Sequence, residues 1–290
     1  MPIQIDGINV HIDNSHANLA QRLGCSWVRI DIDWWLIEKS SGKFSWSQVD
    51  SIVNAYRSRG LKIYATLMGS PSWHKPDFNI PPDINIWKRF CITFAKRYVG
   101  KVDIMSLWNE PNLGKRFWKG SKKEFFEIIV KGGYEAIKSV NPNIVVAAAD
   151  FATTSSSNWA SWLSMMKKYK NYIDVLAIHT YHDSADEVKR CWNYGKIPYI
   201  GWFLPKWQPY KWYINDIKKP VYLTETGYEA KYGNSKQMAK QKEYVEDLMK
   251  IKKDIKVQLV FFYCLLDAAP NAEEPWGFYS IDGKPKLVSQ

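Results

Sequence analysis

Eight short β-prone apolar runs recur along the 290-residue chain, near 3–11, 26–33, 61–68, 102–110, 143–149, 173–181, 220–226 and 257–264. Turn residues bound them, and eight is a strand count that closes a sheet into a barrel whose interior side chains can fill. Helical periodicity lies between most of them, at about 15–22, 47–59, 84–99, 121–140, 158–169 and 235–253. Strands alternating with helices imply parallel pairing through crossover connections. The pattern predicts an α/β fold, a single (β/α)8 barrel over 1–290, in line with the roughly 250 residues such a barrel commonly takes.

Local signals agree with this layout. Ser121 precedes the run Phe125-Phe126-Glu127-Ile128-Ile129 with Glu124 three residues on, the spacing of a capping box. No linker-like composition shift, low-complexity tract or repeat of 20 to 50 residues interrupts the chain. The irregular segment is 183–219, after the sixth run, which carries Trp192, Tyr194, Tyr199, Trp202, Trp207, Tyr210, Trp212 and Tyr213. It is too long for an ordinary strand-to-helix loop. In a barrel it overhangs the face formed by the loops after the strands, where rings stack on ligands or pack the insertion onto the rim.

Two of the runs end on a carboxylate. Val102 to Trp108 leads into Asn109-Glu110-Pro111-Asn112, and Pro111, which cannot donate to a ladder, ends the pairing just past Glu110. Val221-Tyr222-Leu223-Thr224-Glu225 stops at Gly227, which places Glu225 in the same relation to its own strand. Strict alternation puts Ser106, Trp108 and Glu110 on one face, and Val221, Leu223 and Glu225 on another. On the second run Trp27, Arg29 and Asp31 share a face, and on the sixth Val175, Ala177, His179 and Tyr181 do. Arg29, His179 and Tyr181 therefore join the two acids at the mouth. Asn109 would then face away from Glu110 in a regular strand, so a shared role requires a kink or bulge at 108–111.

Paired carboxylates with such neighbours suit glycoside hydrolysis, in which one acid protonates the departing oxygen and the other carboxylate attacks the anomeric carbon or activates water. Arg29 and Tyr181 beside Glu225 favour its carboxylate form, while a drier setting keeps a proton on Glu110.

On these motifs the chain resembles the clan A glycoside hydrolases over nearly its whole length, and among them family 39, with its β-xylosidase-like and exopolysaccharide endoglycosidase-like members. The resemblance implies that Asn-Glu-Pro supplies the acid/base, Glu110, and that the Glu closing the seventh strand, Glu225, is the nucleophile of a retaining mechanism. It further implies that Asn109 bonds a sugar 2-hydroxyl, that Arg29 and Tyr181 hold the nucleophile, and that His179 lines the pocket. Gly69-Ser70-Pro71-Ser72-Trp73-His74 resembles the segment that carries an aromatic residue into the cleft, which brings in Trp73 and His74. The eighth run departs from the pattern: Phe261-Phe262-Tyr263 stands where relatives often have a sugar-platform Trp, leaving Phe262 or Trp276 for that place. Neither a cofactor nor a metal is required.

The partner expected is an oligo- or polysaccharide, cleaved internally or, alternatively, trimmed from its ends; a catalytically silent carbohydrate-binding barrel is the reading from another class. The net charge of +11 is compatible with an acidic glycan, but scattered lysines, many of them in 231–256, specify no nucleic acid. Cys25, Cys91, Cys191 and Cys264 show neither metal-ligand nor disulfide spacing and are expected to be small buried hydrophobes. No apolar stretch approaches a membrane span and no signal peptide opens the chain as given. Localisation is left open, with an extracellular or periplasmic setting favoured by the substrate class, and oligomeric state is left open too.

Overall fold

The structure, a computed structural model, describes residues 4–11, 13–153, 158–194, 210–267 and 275–287. Eight parallel strands close into a barrel: β1 (Gly7–Asn9), β2 (Trp27–Asp33), β3 (Lys62–Met68), β4 (Ile104–Leu107), β5 (Val145–Ala152), β6 (Val175–His179), β7 (Val221–Thr226) and β8 (Leu259–Phe262). Each pairs with its neighbours in sequence, and β8 pairs with β1 to complete the ring. All eight expected strands are present. β4 is shorter than the run 102–110 because Trp108 takes a left-handed φ of 75°, and β5 runs past the expected 149 to Ala152.

The crossovers include α1 (Ala17–Leu23), α2 (Ser47–Arg57) and α3 (Ile84–Tyr98). In α3 the Asp83 carboxylate accepts from the N–H groups of Asn85 and Ile86, and Trp87, Phe90, Cys91, Phe94 and Tyr98 form the buried stripe. After β4, the Ser121–Glu124 capping box opens a helix through Lys122–Glu124, a π-helical stretch Phe125–Gly132 and Gly133–Val140. Then come α4 (Trp159–Tyr169), α5 (Ala185–Tyr194), α6 (Tyr210–Ile217) and α7 (Ser235–Ile251). A two-stranded hairpin, Glu38–Ser40 with Lys43–Phe44, sits outside the barrel.

The insertion after β6 contributes α5 and α6. Trp192 and Tyr210 are buried, and Tyr210 meets Trp159 edge to face at 4.6 Å, so these rings fix the insertion to the barrel. Trp212 is exposed. The expectations for Tyr199, Trp202, Trp207 and the Tyr194 side chain fall outside the described residues. All four cysteines are buried and unbridged, and no described helix is long and apolar enough to cross a membrane.

Two apolar layers hold the fold together. One lies between strands and helices; the other fills the barrel with Tyr64, Ile104, Ala147, Val175, Ala177 and Phe261, joined by Trp27 and Tyr222. Phe261, fully buried against Tyr64 and Trp27, plugs the barrel floor. Phe261→Ala is expected to cost about 3–5 kcal/mol in urea unfolding; a loss below about 1 kcal/mol would show that the floor collapses around the missing ring.

Candidate active site

The interior layer turns polar toward the C-terminal ends of the strands, the face on which such barrels carry their chemistry. Arg29 of β2 is 2% exposed and divides its guanidinium among several acceptors. Nη1 donates to Glu225 Oε1 and Asn9 Oδ1, both at 2.7 Å, and Nη2 donates to Asn109 Oδ1 at 2.7 Å. Asp31 and Asp150 lie 3.7 and 3.6 Å away. Burial disfavours the charge, but Asp150, Glu225 and Asp31 outweigh it and hold Arg29 protonated. Tyr181 donates to the second oxygen of Glu225 at 2.8 Å.

Glu110 is placed by a break in the strand. Trp108 and Glu110 take φ of 75° and 44°, uncommon for residues other than glycine, and the Glu110 N–H reaches the Asp150 carbonyl on the next strand. The irregularity anticipated at 108–111 is present, and it turns Asn109 as well as Glu110 into the cleft. Trp108 goes the other way, into the layer beneath the helices beside Trp87 and Trp118. Its expected place on the face of Ser106 and Glu110 is therefore wrong: the left-handed φ reverses the side chain. β7 holds a similar correction. Tyr222 faces the barrel interior, whereas Val221 and Leu223 pack under the helices, so simple alternation would send Glu225 outward. A register shift opposite Ile178 and His179 resets the phase and brings Glu225 in. The faces read for β2 and β6 agree with the structure.

His179 joins the two acids. Its Nδ1 lies 2.9 Å from Glu110 Oε1 and 3.4 Å from Glu225 Oε2, while Nε2 faces Asp150 at 3.8 Å. Burial pushes its pKa down, yet the carboxylates of Glu225, Asp150 and Glu110 raise it to about 9. One oxygen of Glu110 and one of Glu225 come within 4.8 Å of each other and of a His179 nitrogen. The three side chains have the donor types of a metal site, and here the His179 Nδ1 hydrogen-bonds Glu110. The two acids do not differ in dryness as expected, since their side chains are 14% and 11% exposed. They differ in partners: among the described residues Glu225 has donors on both oxygens, Glu110 only from His179.

Asp150 and Asn9 were not singled out in the sequence. Fully buried Asp150 accepts from Tyr64 (2.9 Å), Ser106 (3.0 Å) and Thr224 (2.5 Å). Burial opposes its charge, but Arg29 and His179 prevail and keep its carboxyl well below the usual range. Asn9 donates to the carbonyls of Thr224 and Phe262 and so ties β1 to the strand of Glu225. The available signal was a lone Asp after Ala147-Ala148-Ala149, and a lone Asn in an apolar start.

A cleft of about 490 Å³ opens above this network, lined by Asn109, Glu110, Tyr181 and Glu225, with Trp35, Phe117, Tyr263 and Trp276 as aromatic walls. Gly69 has φ +84° and its absent Cβ would stand 2.0 Å from the Trp35 ring, so only glycine lets that wall close. Trp276 lines the cleft, edge to face with Tyr181 at 5.1 Å, while Phe262 is buried against Phe278. Its loop is anchored by buried Lys286, which donates to Asp267 (2.6 Å) and the Pro275 carbonyl (3.1 Å). Gly277 is also required there, because a Cβ would meet the Asp267 nitrogen at 2.2 Å. Trp73 and His74 do not line this cleft. The Arg89 guanidinium stacks on the Trp73 ring at 5.6 Å, and His74 Nε2 accepts the Asp83 N–H at 2.9 Å, which fixes both beside the start of α3.

Comparison with known proteins places this arrangement in context. The model for glycosyl hydrolases family 39 matches residues 15–235. A β-xylosidase of Geobacillus stearothermophilus is 21% identical over 163 residues, half of this chain and 32% of that protein. The chain thus spans about a third of the curated relative it matches. Among solved structures, a family 39 glycoside hydrolase from the gut symbiont Bacteroides cellulosilyticus superposes with a TM-score of 0.74 at 19% identity, over 98% of this chain and 61% of that one. A family 39 β-xylosidase from Caulobacter crescentus gives 0.68 at 19% identity, over 98% and 69%. Xylanase 10B from Thermotoga petrophila gives 0.69 at 12% identity, over 97% and 90%. At these identities the superpositions establish the shared fold.

His179 supplies a direct test of the electrostatics. Its imidazole NMR titration should have a midpoint near 9, moving down toward 6.5 in Asp150→Asn, where one stabilising carboxylate is gone. Because the folded value is the higher one, the associated stability is fully present below about pH 6.5 and is lost as pH rises through the folded midpoint. A midpoint at or below 6.5 in the wild type would contradict the assigned cluster.

Proposed function

The chain belongs to glycosyl hydrolase family 39, and we propose that it is a retaining β-glycosidase with Glu225 as nucleophile and Glu110 as acid/base. The observation that carries this reading is the close approach of the two carboxylates, within 4.8 Å between nearest oxygens. Retaining enzymes hold the two carboxyl groups about 5–5.5 Å apart, whereas inverting enzymes leave roughly 6.5–9.5 Å for a water.

In the first step a Glu225 oxygen attacks the anomeric carbon while Glu110 gives a proton to the glycosidic oxygen, and the aglycone leaves as an alcohol. In the second, Glu110 takes a proton from water as the water oxygen attacks the same carbon, and the ester to Glu225 breaks. His179 engages one oxygen of Glu110 and leaves the other to the cleft. Arg29 and Tyr181 orient the Glu225 carboxylate along the line of attack. Asn109, its carbonyl oxygen taken by Arg29, turns its NH₂ to the sugar 2-hydroxyl. Trp276 forms the stacking platform.

Internal cleavage of a polysaccharide is supported by the extent of the groove. Tyr181 and Trp276 also border a second cavity of about 430 Å³, lined as well by Gly227, Tyr228 and Gln237, which gives room for sugars beyond the reacting one. Trimming from chain ends is the second reading, favoured by the β-xylosidases among the similar proteins. A silent carbohydrate-binding barrel fits less well, because it gives no reason for a buried cation to hold Glu225 in place.

Digests of β-linked neutral and acidic polysaccharides, with anomers followed by NMR, test the proposal. First-formed products should retain the β configuration, as oligosaccharides if action is internal and as single sugars if terminal. Glu110→Ala should lower kcat by about 10²–10⁴-fold, and azide should rescue it to give a β-glycosyl azide. Glu225→Ala with azide should give the α-azide. Products of inverted configuration from the wild type would overturn the mechanism.

A further inference from the structure

The positive net charge of the chain, +11, does not extend into the cleft. Among the described residues four carboxylates line it, Asp31, Asp33, Glu110 and Glu225, against a single Lys or Arg, Arg116. Three of the four are committed: Glu225 to Arg29 and Tyr181, Glu110 to His179, and Asp31 to His11 at 2.9 Å. Asp33 has no hydrogen-bond or ion-pair partner among the described residues.

Its position follows from β2. Arg29, Asp31 and Asp33 succeed one another on the same face of the strand, rising from the guanidinium that holds the nucleophile to the lip of the cleft. The Arg29 nitrogen bonded to Glu225 also lies 3.7 Å from Asp31, so the foot of this column adjoins the nucleophile and Asp33 shares its cleft. Arg116 belongs instead to the loop after β4, the strand of Glu110. Asp33 is also the residue before the one-turn helix Trp34–Ile37, yet its side chain makes no capping bond and is turned into the cleft. Burial, then the neighbouring Asp31, push its carboxyl up to about 7. A half-buried acceptor that forgoes a cap and faces the cleft is open to a donor from a ligand.

We propose that Asp33 is the specificity-determining residue of the subsite that shares the cleft with Glu225. In its ionised form the carboxylate accepts hydrogen bonds from hydroxyls of an uncharged sugar ring and repels a ring that carries a carboxylate. The substrate is therefore a neutral β-glycan at the point of cleavage, despite the basic surface. This inference rests on the glycosidase reading above for its kinetic test.

The test compares glycosides that differ by one carboxylate: methylumbelliferyl β-glucoside with β-glucuronide, and β-galactoside with β-galacturonide, together with β-xyloside and short oligomers of each sugar. At pH 8, above the Asp33 midpoint of about 7, wild type should release product from a neutral member with kcat/KM about 100-fold above its uronide counterpart. Asp33→Asn should narrow that ratio about tenfold, chiefly through KM, and Asp33→Glu should restore much of it. A uronide cleaved as well as its neutral partner, or an unchanged ratio in Asp33→Asn, would overturn the proposal. If no glycoside is cleaved, the hydrolase reading fails, and ligand-observed NMR with the same oligomers then decides the subsite by itself. Binding of neutral but not uronic oligomers, lost in Asp33→Ala, supports it; equal binding of both, or binding indifferent to Asp33, sinks it.

Discussion

The buried guanidinium of Arg29 is the constraint around which the cleft is built. A cation taken out of water needs compensation from every side, and leaving its partners without it would typically cost about 3–5 kcal/mol. Its donors fix Glu225 of β7, Asn9 of β1 and Asn109 at the end of β4, with Asp31 and Asp150 close by. One side chain therefore sets the relative positions of groups from five strands. Asp150 extends the network to Tyr64, Ser106 and Thr224, and through its charge to His179. Positions of the acids are thus over-determined, which is what a reaction sensitive to sub-ångström placement requires.

A regular barrel would not deliver these groups. Strand alternation sends successive side chains to opposite layers, and Asn109 joins Glu110 in the cleft, and Glu225 faces inward, only because their strands break phase. The left-handed φ of Trp108, Glu110 and Asp150 each cost of order 1–3 kcal/mol outside glycine. Packing of Trp108 between Trp87 and Trp118, and the bond from the Glu110 N–H to the Asp150 carbonyl, hold this geometry. Irregular backbone coincides with the proposed chemistry, while the regular parts of β2, β3 and β6 carry the support.

This contrast explains what was legible in the sequence. The strand count, the capping box at Ser121 and the two carboxylates at strand ends follow from local composition, and the structure has each of them. The inward faces of β2 and β6 also follow, because alternation holds where the ladder is regular. It misassigned Trp108, and on β7 Val221 and Leu223, because a phase shift leaves no mark in composition. Asp150 and Asn9 escaped notice because a single polar residue in an apolar strand has no local meaning; their partners are up to 253 residues away in sequence. Trp73 and His74 resembled cleft residues, but stacking under Arg89 and a bond to the Asp83 N–H place them against α3.

The central claim is that Glu225, held by Arg29 and Tyr181, forms a covalent bond to the sugar. Incubation with a neutral 2-deoxy-2-fluoro glycoside carrying an activated leaving group slows the second step and lets that intermediate accumulate. Mass spectrometry of the intact chain and of its peptides then locates the sugar. The account predicts one fluorosugar per chain, attached within the peptide containing Glu225 and absent from Glu225→Gln. Attachment at Glu110 or elsewhere, or turnover of the unmodified substrate with no trapped sugar at any time, would contradict it.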